Sequence, residues 1–110
     1  MSQFANSVAQ VTIRFDVDKS HLHFALAKDI KKSFKVDDEK GKEYRGTLSY
    51  NDLADLVGNQ LSQVEAGTEQ KIKIIWTKDE KKTAEFISEE GVGQSVKSKS
   101  VAGKWEEVKA

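Results

Sequence analysis

Apolar and polar positions alternate most cleanly near the start of the chain. Val11, Ile13, Phe15 and Val17 are separated by Thr12, Arg14 and Asp16, the period of a half-buried strand. The next segment, HLHFALAKDI, reads two ways. A helix would align Leu22, Leu26 and Ile30 but leave Phe24 beside Lys28 and Lys31. A strand places Leu22, Phe24 and Leu26 on one face without exception. A turn over Asp18–His21 then sets Val17 against Leu22, Phe15 against Phe24 and Ile13 against Leu26, so a hairpin is expected.

A second hairpin is expected in FKVDDEKGKEYRGTL. Phe34 and Val36 would enter a polar turn containing Gly41, and Tyr44 and Leu48 would leave it. The pattern then changes period. Ser49–Asp52 resembles a capping box, Asp52 and Asp55 suit the positive end of a helix, and Leu53, Leu56, Val57, Leu61 and Val64 recur at helical spacing before Gly67. One amphipathic helix is therefore expected near residues 50–65, although Gly58 and Gln60 interrupt its apolar stripe. Ile72, Ile74 and Trp76, answered by Ala84 and Phe86 after the turn KDEKK, make a third hairpin. No internal repeat is visible. The fold these elements imply is α+β: mainly antiparallel hairpins, as a small sheet or partly open barrel, with one helix. A single domain should span 1–110, with residues 90–110 an edge strand or semi-ordered tail.

Composition narrows the function more than it identifies one. Acids and cations balance at 18 each, so no long-range field gathers nucleic acid or an acidic membrane. Nearly all the cations are Lys; only Arg14 and Arg45 offer the planar fork suited to reading bases. The chain has no Cys, hence no disulfide framework, and no apolar run of membrane-spanning length. The opening MSQFANSVAQ lacks a signal-peptide pattern, and a cytoplasmic location is the expectation.

Motifs with chemical potential are few. Gly93-Gln-Ser-Val-Lys-Ser98-Lys99-Ser100 falls one residue short of a phosphate-cradling P-loop, puts Ser98 where the second Gly belongs, and follows Glu89 and Glu90. Asp16-Val-Asp18-Lys-Ser20 begins like a calcium loop but lacks its Gly and its closing Glu. His21 and His23, two apart on a strand, share a face. With Asp16 expected opposite His23, the three are weak candidates for a metal site, read mainly as solvated side chains. No nucleophile elbow or carboxylate pair indicates catalysis, and no cofactor is expected.

Two function classes follow. The first is a non-catalytic cytosolic binding or regulatory protein with a protein partner, using Asp52, Asp55 and Gln60. From Gly46 to Gln70 the chain carries four acids and no cation. Small size, no Cys and Lys over Arg match accessory proteins of mobile elements. The alternative is a β-rich module binding single-stranded nucleic acid through Lys97, Lys99, Lys104 and a stacking Trp105.

Overall fold

The period-two alternation of the first strand extends across nearly the whole chain. A computed structural model describes residues 7–37 and 40–108. It contains β1 (Ser7–Asp16), β2 (His21–Ala27), β3 (Lys32–Lys35), β4 (Lys42–Tyr50), β5 (Gly58–Ala66), β6 (Ile72–Lys78), β7 (Lys81–Ser88) and β8 (Lys99–Glu107). These close into one antiparallel barrel in the order β1-β2-β3-β8-β5-β6-β7-β4. Eight strands enclose a space just wide enough for side chains to fill. Ile13, Phe15, Leu22, Phe34, Leu48, Val64, Ile74, Trp76, Phe86 and Trp105 fill it, all buried.

At its centre Phe34, Trp76 and Trp105 pack mutually, with ring centroids 5.3–5.7 Å apart. Such tilted and edge-to-face pairs contribute about 0.5–1.5 kcal/mol each beyond the area they bury. The two indole N–H groups find no hydrogen-bond partner among the described residues.

The expected α+β fold is corrected: among the described residues the helical content is single 3₁₀ turns at Lys28–Ile30, Leu53–Asp55 and Thr68–Gln70. Where a helix over 50–65 was expected, Asp52 caps one turn, its Oδ1 accepting from Ala54 N at 3.0 Å. Gly58, at φ +71°, then redirects the chain into β5. In β5 it is Gln60, Ser62 and Val64 that point inward, while Leu61 is exposed. Polar side chains on the core face and Leu61 outside disguised a strand as a helix. Burial is possible because each polar group is paired. Gln60 Nε2 donates to Asp55 O at 2.6 Å, Thr83 Oγ1 donates to Gln60 Oε1 at 2.6 Å, and Ser62 Oγ donates to Val101 O at 2.7 Å.

The first hairpin forms, but in a different register. Arg14 faces Phe24 and Phe15 faces Leu22, so His23 is the extra residue of a β-bulge. The bulge shifts the phase of β2: Leu22, Ala25 and Ala27 are buried, and Phe24 and Leu26 are only half-buried. The second hairpin does not form. β3 pairs with β2 and β8, and β4 with β1 and β7. The third forms as expected, with Ile74 opposite Phe86 and Trp76 opposite Ala84. Its turn residues Asp79 and Glu80 both have positive φ, the twist that suits a two-residue hairpin. Within the segment read as an edge strand or tail, β8 is bonded on both sides, by β3 and β5.

Candidate metal centre

One mouth of the barrel gathers the β1–β2 turn, the start of β2 and the connection leaving β3. The β2–β3 ladder pairs Phe24 with Lys35, and extending it by two residues brings Asp37 level with the two histidines. Asp37 receives both rings. His21 Nε2 lies 3.0 Å from Oδ2 and His23 Nδ1 lies 2.9 Å from Oδ1. The rings sit 4.7 Å apart between centroids at 71°. His23 is nearly buried, His21 half-buried, and the Asp37 side chain is 49% exposed.

The Asp37 carboxyl sits below its ordinary value. Desolvation acts to raise it, but the hydrogen bonds and charges of His21 and His23 together outweigh that effect. The three ligand-type atoms lie within 4.8 Å of one another. Two imidazole nitrogens and one carboxylate oxygen form a donor set suited to a divalent transition metal.

Of the three residues proposed from sequence, the structure brings His21 and His23 together and leaves Asp16 out. Asp16 faces His21 in the ladder, yet its Oδ1 accepts from Lys19 N at 3.3 Å, a turn role. Asp37 was missed because β3 was expected to pair with β4. Placing β3 beside β2 would have delivered Asp37 to the histidines.

The protein-binding candidates separate. Asp52 and Asp55 are exposed at the opposite mouth, whereas Gln60 is buried and fully engaged, so it cannot meet a partner. Lys97, Lys99 and Lys104 are exposed. Trp105 is 2% exposed inside the aromatic cluster and offers no face to a base. Lys99 opens a strand, where a P-loop lysine would open a helix. No helix among the described residues is long and apolar enough to cross a membrane. Comparison with protein-family models, curated proteins and solved structures finds no match to this chain.

Proposed function

We propose that the chain works as a cytoplasmic, non-catalytic binding or regulatory protein whose partner is another protein. The observation that supports this reading most is the placement of exposed apolar residues. Of the five large hydrophobic residues exposed among those described, three fall between residues 53 and 61: Leu53 and Val57 at 40% and Leu61 at 43%. Leu53 and Val57 share one groove, while Leu61 lies on the outer face of β5 beside Thr77 and Ala102. Exposed apolar groups gathered on a polar surface mark interaction sites.

Leu53 and Val57 line a groove of about 420 Å³ with Ile30, Ala54 and Val108. Lys31, Lys32 and Glu107 line it too, with Lys32 Nζ 3.7 Å from Glu107 Oε1, so its acidic side is the one formed by Asp52 and Asp55. Asp52 and Asp55 flank Leu53, in a segment from Gly46 to Gln70 without a cation. The complementary partner is a protein segment with apolar side chains flanked by Lys or Arg. The test is affinity capture from nuclease-treated lysate, comparing wild type with Leu53→Ser/Val57→Ser and with Asp52→Lys/Asp55→Lys. Both double variants should melt near wild type and lose the captured partner. Capture of the same partner by both variants at wild-type yield removes the reading.

A further inference from the structure

Independently of that surface, the geometry points to a binding site for a divalent transition-metal ion, of the zinc class, formed by His21 Nε2, His23 Nδ1 and a carboxylate oxygen of Asp37. The spacing suits the ion. Zinc–nitrogen and zinc–oxygen bonds of about 2.0–2.2 Å at tetrahedral angles hold ligand atoms about 3.3 Å apart. The two His–Asp separations, 3.0 and 2.9 Å, already lie near that value. An ion entering between them therefore needs small expansions, with the imidazoles closing onto it from within 4.8 Å.

Three features of the chain place the donors. The β-bulge makes His23 the extra residue of β2, so its ring comes to the same side as that of His21 over Asp37. Bulges carry a local loss of pairing, and this one coincides with the only two histidines in the sequence. The connection after β3 crosses the end of β2 and lays Asp37 over both rings. Exposure is graded from His23 inside to Asp37 outside, which leaves the carboxylate face open for an ion and for water or a further ligand at the fourth position.

Binding displaces the protons from the two ligating ring nitrogens. The rings present Nε2 and Nδ1 as donors to Asp37; the incoming cation replaces those ring protons, which leave to solvent or move to the other ring nitrogen. Nitrogen donors select zinc, nickel or copper over magnesium and calcium, which prefer all-oxygen shells.

The test is calorimetric titration of the intact protein with zinc chloride, repeated with magnesium chloride, on wild type, His21→Asn, Asp37→Asn and Asp16→Asn. Both ligand positions are partly exposed, so their variants should fold, as a melting curve verifies. Wild type should bind one zinc ion, with perturbed His21 and His23 ring signals in NMR spectra, and should ignore magnesium. His21→Asn and Asp37→Asn should weaken zinc at least about tenfold, the loss typical of removing even an outer-shell partner. Asp16→Asn should keep wild-type affinity. Absent zinc binding, equal response to magnesium, or affinity lost in Asp16→Asn and kept in Asp37→Asn would each overturn the assignment.

Discussion

The first half of the barrel, β1–β4, and the second, β5–β8, follow one plan. Each is a three-strand meander whose fourth strand returns beside the first, and that fourth strand also bonds the third strand of the other half. The fifth residues of β4 and β8 are Gly46 and Gly103. A Cβ at either would come within 2.5 Å of a phenylalanine ring from the opposite half, Phe86 or Phe34. Two residues on, Leu48 pairs with Phe86 and Trp105 with Phe34. The halves differ in what crosses the mouth. In the first, the connection from β3 to β4 lays Asp37 on two histidines. In the second, the connection from β7 to β8 packs Val92 and Val96 against the core and ties Lys97 N to Ser20 Oγ at 2.8 Å. Shared inward packing fixes the architecture, and the connections are free to differ in chemistry.

The largest effects should test that equivalence in the core. Trp105→Ala should cost about 3–5 kcal/mol, near the top of the range for emptying a core site, because Phe34 and Trp76 both lose a ring neighbour. Leu48→Ala, at the matching position, should cost less. Gly46→Ala and Gly103→Ala should each cost about 1–3 kcal/mol through overpacking, and should resemble each other more than the Trp–Leu pair does. Urea denaturation measures all four. A harmless alanine at one glycine and an unfolded barrel from the other would show that the halves are not packed alike.

The first strand and the Trp76 hairpin were legible because each alternates apolar and polar residues and closes through a short turn. Three things hid the rest. The bulge at His23 shifts the phase of β2 without any marker in composition. β5 buries Gln60 and Ser62 and exposes Leu61, which imitates a helix, and only partners as remote as Thr83 and Val101 explain it. The crossings of β3–β4 and β7–β8 are non-local, so nearest-neighbour pairing of strands assigns a hairpin that does not form. The repeated plan was invisible for the same reason: matched glycines and phenylalanines meet across halves, in strands of otherwise different sequence. Two of the candidate site's three residues were readable from the spacing of His21 and His23; Asp37 required the correct neighbour for β3.

An intermediate effect sharpens the contrast at β5, whose counterpart β1 buries Ala9, Val11, Ile13 and Phe15 in place of amide and hydroxyl. Gln60→Ala removes the Thr83 hydroxyl's nearer acceptor, leaving it Trp76 O at 3.2 Å, and takes the amide donor from the Asp55 carbonyl, and should cost about 1–3 kcal/mol. Gln60→Ala/Thr83→Val removes both members of the side-chain pair and should recover part of that loss. Thr83→Val alone completes the cycle, and a double-variant loss equal to the sum of the two single losses would mean that the pair is uncoupled.

The smallest effect concerns the third residues of β4 and β8, Tyr44 and Val101, which make the halves differ in a titratable group. Burial first, and then the charges of Asp16 and Asp18, raise the Tyr44 phenol above its ordinary 10.0. The folded barrel thus holds that proton more tightly than the unfolded chain does. Its stabilising contribution is present in full below about pH 10, where the unfolded phenol begins to titrate, and declines as pH climbs through the folded value. Tyr44→Phe removes this term while leaving the lysines to titrate in both proteins. The urea midpoint of wild type relative to Tyr44→Phe should therefore be steady near pH 8 and fall as the phenol ionises, and Asp18→Asn should blunt the fall. Parallel pH curves for wild type and Tyr44→Phe would place the hydroxyl in water, outside the influence of the neighbouring carboxylates.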